Sequence, residues 1–168
     1  MRSHRKISAT ELEQAKLLKK VGMKTSEIWN LFVHQNGGLD KIGCTKKDSY
    51  NSLTTGQREV DDLNATTTLT FLQSKLDIDP DFFYAYMVDE ESRLTHLFWA
   101  NSPSRFDYKF FGDSLAFDST YKINRCQIPL VVLVGSNNHG MTCVFGFALI
   151  QNETAKTYTW VLQSFWSV

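Results

Sequence analysis

The pattern that most restricts the fold lies in residues 110–147, which read FFGDSLAFDSTYKINRCQIPLVVLVGSNNHGMTCVFGF. It predicts three consecutive β-strands, over Ser114–Thr120, Ile128–Gly135 and Met141–Ile150. The second is rich in Val and Leu, as strands buried on both faces are. The turn before the third supplies the Asn and Gly that left-handed turn positions favour. We expect antiparallel strands followed by a helix from Ala155 to the end of the chain.

The first of these strands carries one carboxylate, Asp118, within the run Phe-Asp-Ser-Thr. From the residues alone, an Asp before Ser and Thr is more typical of a strand-end cap than of a metal ligand. Asp113 belongs to the preceding turn and Glu153 to the loop before the helix, so no spacing brings either acid towards Asp118. The sequence therefore offers one candidate carboxylate.

The order of these elements resembles the Mutator-like element (MULE) transposase domain. The residues LFWANS at 97–102 and TYTWVL at 157–162 flank the strands in a similar order. More narrowly, the chain is similar to the plant far-red-impaired-response and far-red-elongated-hypocotyl family of domesticated transposases. Gly37–Gly38 and Cys44–Asp48 resemble a helical segment that those proteins carry upstream, so the resemblance covers nearly the whole chain.

The resemblance implies an α+β fold in which an N-terminal helical segment precedes the opening part of an RNase H-like domain. We assign residues 1–62 to the helical segment and residues 63–112 to a helix, a β-hairpin and a further helix leading into the core. Residues 113–168 are then the N-terminal part of the MULE domain, truncated after three strands and a helix.

The resemblance also implies a role for Asp118. In RNase H-like transposases a carboxylate on the first strand joins an Asp after the fourth strand and an acid on a later helix to hold two divalent metals. Of these three acids, only the first has a counterpart in this chain, which is Asp118. The resemblance therefore makes Asp118 the catalytic and metal-binding candidate, and we expect this remnant to be inactive alone. Magnesium and zinc are implied for complete relatives; for this chain we expect no cofactor and no zinc site.

We therefore expect a transposase-derived nuclear protein, a DNA-associated regulator of transcription of the light-signalling type, which is not an enzyme. One alternative is a fragment of an active Mutator-like transposase. Another is a protein-interaction or dimerisation module that pairs through an exposed sheet edge. The expected partners are DNA and a homo- or heterodimer with family members, without a membrane or a small-molecule substrate.

Charge is distributed unevenly along a chain whose 18 Lys and Arg balance its 18 Asp and Glu. A net charge of zero argues against a chain that clamps nucleic acid along its whole length. Basic residues are concentrated in the first 24 positions. The candidates for phosphate contact are Arg2, Arg5, Lys6, Lys19 and Lys20.

Cysteine content and hydropathy restrict the compartment. The three cysteines, Cys44, Cys126 and Cys143, are odd in number and widely spaced, which favours a reducing compartment over a disulfide framework. No apolar run approaches the roughly 18 to 20 residues needed to cross a bilayer.

The first 62 residues carry helix signals. Ser8 to Glu11 forms a capping box for a helix over Ala9–Lys20, and a second helix opens at Thr25 or Ser26. Thr45 to Asp48 forms a second capping box, for a short third helix. Three short helices resemble a helix-turn-helix in outline, but a small bundle with solvated lysines is favoured because no base-reading set is present.

The middle of the chain predicts a helix over Asn64–Leu76 and a hairpin of strands Phe82–Val88 and Leu94–Trp99. A helix over Pro103–Phe111 follows, with Ser102 as its N-cap. We expect its Phe106, Phe110 and Phe111 to pack in the core, and Trp160 and Trp166 of the last helix to pack on the sheet.

Overall fold

A computed structural model of the chain describes residues 9–20, 23–35, 38–39, 42, 45–48, 65–120 and 128–168. The chain forms two compact units, residues 1–62 and residues 63–168.

The described residues of the N-terminal unit include helices α1 (Ala9–Lys20), with the predicted bounds, and α2 (Thr25–Gln35), which begins at the predicted Thr25. Each buries apolar side chains at helical spacing, Ala15 and Leu18 in α1 and Ile28 and Phe32 in α2.

The capping box at Thr45 is present. Asp48 Oδ2 accepts hydrogen bonds from the Thr45 backbone N–H (3.1 Å) and hydroxyl (2.6 Å), and Thr45 Oγ1 accepts from the Asp48 N–H (3.2 Å). The Ser8 box and the other residues predicted for the third helix lie outside the described residues.

The second unit alternates helices and strands. Its described elements are α3 (Ala65–Leu76), β1 (Phe83–Val88), β2 (Leu94–Ala100), α4 (Ser102–Phe111), β3 (Ala116–Thr120), β4 (Leu130–Ser136), β5 (Thr142–Ile150) and α5 (Ala155–Trp166). Each predicted helix and strand of this unit is present, with ends that differ by up to two residues.

The five strands form one antiparallel sheet in the order β1-β2-β5-β4-β3. The α+β class is therefore confirmed. The predicted segments 63–112 and 113–168 both contribute strands to this one sheet. β5 is the middle strand, and every residue from Cys143 to Ile150 is buried. Its apolar run follows from having a strand on both sides.

One face of the sheet packs against helices α4 and α5. The buried side chains of this core are Phe98, Ala100, Val131, Leu133, Cys143, Phe145, Ala148, Ile150, Val161 and Phe165. Two glycines make room for its rings. A Cβ at Gly146 would lie 2.9 Å from Phe98 Cζ, and one at Gly135 would lie 2.3 Å from Phe145 Cζ.

The structure corrects two expectations for α4. Asn101, not Ser102, is the N-cap, because its Oδ1 accepts from the Ser104 N–H at 2.9 Å. Ser102 instead donates its N–H (3.0 Å) and its hydroxyl to the carboxylate of Asp79.

Phe106 and Phe110 are 62% and 57% exposed, so their predicted core packing is wrong. In a helix the residues four and seven after Ser104 share its face, which turns Tyr108 and Phe111 towards the core. Phe106 and Phe110 are spaced four apart on another face.

The last helix shows the same effect. Val161 and Phe165, four residues apart, are buried, while Trp166 is 68% exposed. The predicted packing of Trp166 on the sheet is therefore wrong. Trp160 does pack against the core, and its ring lies 5.4 Å from that of His96.

Candidate functional site

Asp118 lies in the middle of β3, an edge strand of the sheet, and its side chain is exposed. Its register partner on β4 is Val132. Because side chains alternate along a strand, the neighbouring Phe117 points to the opposite face, where its ring lies 5.7 Å from that of Tyr158 on α5. Asp118 therefore shares the sheet face of Val132.

The strand register defines a row of side chains that begins at Asp118 and runs across this face of the sheet. Val132 pairs with Phe147, which pairs with Trp99, and all three are buried. The rings of Trp99 and Phe147 stack with centroids 5.4 Å apart. The residues that follow Asp118 in this row are thus apolar and offer no oxygen ligand for a hard cation.

Among the described residues, no three or more His, Cys, Asp or Glu side chains form a group that could hold a metal ion. Asp113 is exposed in the turn after α4, and the carboxylate of Glu153 accepts a hydrogen bond from the Tyr158 hydroxyl at 3.1 Å. Asp118 with its described neighbours therefore does not fit a two-metal centre, which needs converging carboxylates.

The basic candidates are only partly described. Lys19 Nζ donates to Thr25 Oγ1 at 2.7 Å and so joins α1 to the first residue of α2. Lys20 ends α1, but its side chain lies outside the described residues, as do Arg2, Arg5 and Lys6 entirely.

The surroundings of the two described histidine side chains, His96 and His139, indicate structural roles. His96 is buried on β2, with Nδ1 2.6 Å from the Thr95 carbonyl oxygen. His139 is exposed in the β4–β5 turn, where its N–H donates to Asn137 Oδ1 at 2.9 Å. His139 is therefore a solvent-exposed turn residue.

One carboxylate outside the sequence-predicted site, Asp107, has a shifted pKa. Burial raises the pKa of Asp107, which lies on α4 and lines an open groove of about 770 Å³. Burial, and then the nearby Asp107 charge, raise the pKa of the Cys143 thiol. No sequence motif marks Asp107, because its burial comes from tertiary packing.

The groove is bordered by an arginine with a structural role. Arg105 donates to the backbone oxygen of Asp81 at 2.8 Å and to that of Val168 at 3.2 Å. A raised carboxyl pKa and a protonated thiol do not make an activated nucleophile, because the thiolate is the reactive form.

None of the described helices combines the length and the apolar character that a membrane span requires.

Comparison with known proteins gives consistent matches. Residues 114–168 match the family model of the MULE transposase domain. Protein FAR1-RELATED SEQUENCE 5 of Arabidopsis thaliana is 30% identical over 98% of this chain, which covers 21% of that protein. Protein FAR-RED IMPAIRED RESPONSE 1 of the same plant is 28% identical over 97% of this chain, which covers 20% of that protein. No solved structure matches the chain.

The chain thus spans about a fifth of the length of these relatives. The similarity extends well beyond the MULE match, into the helices of the first unit, as the quoted motifs predict. The chain belongs to the family of the plant FAR-RED IMPAIRED RESPONSE and FAR1-RELATED SEQUENCE proteins, and its residues 114–168 match the MULE transposase domain.

Proposed function

We propose that the chain is part of a transposase-derived, DNA-associated regulator of transcription that acts in the nucleus of a plant cell and does not cut DNA. The observation that carries the proposal is the similarity to FAR-RED IMPAIRED RESPONSE 1 along 97% of the chain. The name of that relative refers to an impaired far-red response, which makes light signalling the proposed context.

The second unit supports descent from an RNase H-like enzyme. β3, β4 and β5 are consecutive antiparallel neighbours, and helix α5 follows them. An RNase H-like domain begins with this order and carries an acid on its first strand, the position that Asp118 takes in β3. We propose that residues 114–168 are the opening part of such a domain.

The surroundings of Asp118 support a role without DNA cleavage. The next residue in its row is Val132, followed by the buried rings of Phe147 and Trp99. A lone exposed carboxylate cannot position two metal ions for an in-line displacement, which needs several oxygen ligands converging on the ions.

The distribution of charge supports DNA contact through the first unit. Residues 1–62 contain 11 Lys and Arg and 8 Asp and Glu, a net charge of +3. Residues 63–168 contain 7 and 10, a net charge of −3. Phosphate contact requires positive charge, so we propose that DNA is contacted by the segment containing Arg2, Arg5 and Lys6.

The regulatory role can be tested by tethering the chain to a reporter promoter in plant protoplasts through a heterologous DNA-binding domain. We expect reporter transcription to change, and to change equally for the chain and for its Asp118→Ala variant. Transcription that stays at the level of the tether alone would contradict the proposal.

A cleavage assay separates the regulator from the alternative of an active transposase fragment. The purified chain is incubated with magnesium or manganese and an end-labelled DNA duplex. We expect neither nicking nor strand transfer. Products that appear with the chain and disappear with Asp118→Ala would overturn the non-catalytic assignment.

A further inference from the structure

We propose that the outer edge of strand β1 is a docking site for an extended segment of a partner protein, with an apolar centre flanked by Lys or Arg. The partner segment would add a sixth strand to the sheet. This inference is independent of the proposed regulatory function, since it requires neither DNA nor the Asp118 position.

β1 has the composition of a paired strand but lies at the end of the sheet, where β2 is its one neighbour. Its six residues read FYAYMV, without a charge and without a proline. Charged residues and proline normally protect an edge strand, because its outward N–H and C=O groups form a template for another strand. The described residues pair no other strand with this edge.

The side chains at the end of β1 are open on both faces. Tyr86, Met87 and Val88 are 45%, 39% and 44% exposed. Tyr86 and Met87 point to opposite faces because side chains alternate along a strand. The ring of Tyr86 stacks on that of Tyr84, with centroids 6.4 Å apart, and so continues the apolar surface along the strand.

The opposite edge of the sheet lacks this character. β3 carries the charged Asp118 at its centre, between Phe117 and Ser119. A charge within an edge strand disfavours the addition of another strand. The two edges therefore differ, and β1 is the edge suited to pairing.

Acidic residues lie at both ends of β1 and indicate the charge of the partner. Asp81 precedes the strand, and the turn after it contains Asp89, Glu90 and Glu91. Arg93 forms ion pairs with Asp89 (2.7 Å) and Glu91 (2.8 Å). Within the described part of the chain, the carboxylates of Asp81 and Glu90 have no ion pair, and the whole unit carries a net charge of −3.

A partner segment with basic residues at both ends complements this pattern. A second copy of the chain does not. In an antiparallel self-pairing centred between Ala85 and Tyr86, Asp81 of one copy would face Glu90 of the other. Like charges directly opposite each other destabilise a strand pair.

Binding can be measured with two fluorescent peptides of about ten residues that share a Val-Thr-Val-Thr-Val centre. One has two Lys or Arg at each end, and the other has two Glu at each end. We expect the full chain to bind the basic peptide at least about tenfold more tightly, a preference of about 1.4 kcal/mol. Added salt should weaken this preference.

Hydrogen exchange locates the bound peptide. The basic peptide should slow exchange at backbone amides of residues 83–88 and leave residues 116–120 unchanged. Met87→Lys should abolish both the binding and the protection, whereas Ala116→Lys, the same change at the β3 edge, should leave both intact. Circular dichroism of each variant shows whether it is folded.

Charge reversal provides a second test. The double variant Asp81→Lys, Glu90→Lys should prefer the Glu-flanked peptide. Equal binding of both peptides, or protection outside β1, would overturn the proposal. So would concentration-dependent dimerisation in light scattering that Met87→Lys abolishes, because the occupant would then be a second copy.

Discussion

Two aspartates of the second unit have acidities shifted in opposite directions by their surroundings. Asp89 Oδ1 accepts from the backbone N–H groups of Arg93 (2.8 Å) and Glu91 (3.1 Å), and hydrogen bonds with Arg93 hold its pKa below the ordinary value. Burial raises the pKa of Asp107. The first carboxylate is stabilised when charged, and the second is destabilised when charged.

These shifts predict opposite pH dependences of stability. The folded pKa of Asp89 lies below the ordinary 3.8, so its contribution is present above pH 3.8 and is lost as the pH falls through the folded value. Asp89→Asn should therefore lower the free energy of unfolding at pH 7 and have less effect in acid.

For Asp107 the folded pKa lies above 3.8, so the folded state retains a proton that the unfolded state releases, and stability falls as the pH rises through this window. The free energy of unfolding of the Asp107→Asn variant, relative to that of the parent chain, should therefore be higher at pH 7 than at pH 3. Urea titrations from pH 3 to 7 measure both variants. If the free energy of unfolding changed with pH in the same way for both variants, the assignment of opposite pKa shifts would be wrong.

At the scale of elements, helix α4 shows how one short helix divides its aromatic residues between core and solvent. Tyr108 contacts the rings of Phe165 and Phe145, with centroids 4.4 and 5.4 Å away. Phe106 instead contacts Phe110 at 4.5 Å, and both are exposed. The helical period separates the two groups, although all are aromatic.

This division predicts unequal costs of truncation. Tyr108→Ala should reduce the free energy of unfolding by about 3 kcal/mol, because it leaves a cavity against Phe165. Phe106→Ala, a matched aromatic-to-alanine change in the same helix, should cost less than about 1 kcal/mol. Chemical denaturation monitored by circular dichroism measures both. Equal costs would show that α4 is rotated from the described orientation.

At the scale of the whole molecule, the chain is neutral only as a sum. The first unit has a net charge of +3 and the second a net charge of −3. A neutral protein with this separation can present one unit to nucleic acid and the other to a basic protein partner. The proposed DNA contact and the proposed β1 docking site therefore belong to different units.

The separation predicts which basic residues matter for DNA. The double variant Arg5→Ala, Lys6→Ala, in the first unit, should weaken binding to duplex DNA. It should also reduce the slope of the log binding constant against log salt concentration by about 2, one for each lost phosphate contact. Lys109→Ala with Lys156→Ala removes the same charge from exposed positions of the second unit and should change neither. Fluorescence anisotropy over a salt series measures both, and equal losses would contradict a contact confined to the first unit.

The amino-acid sequence by itself determined the elements and the family. The Val-rich run of β4 and the turn with Asn and Gly before β5 are local patterns, so these strands were predictable to within two residues. The capping box at Thr45 is also a local pattern, and its hydrogen bonds are present. The resemblance to MULE transposases rests on motifs that are read directly from the chain.

Only the tertiary structure decided what each element packs against. It placed the β1–β2 hairpin beside β5, turned Phe106, Phe110 and Trp166 to solvent, and buried part of Asp107. Strand order and the facing side of a helix depend on contacts between residues distant in sequence, which no local pattern encodes. For the same reason, the open edge of β1 became visible only in the assembled sheet.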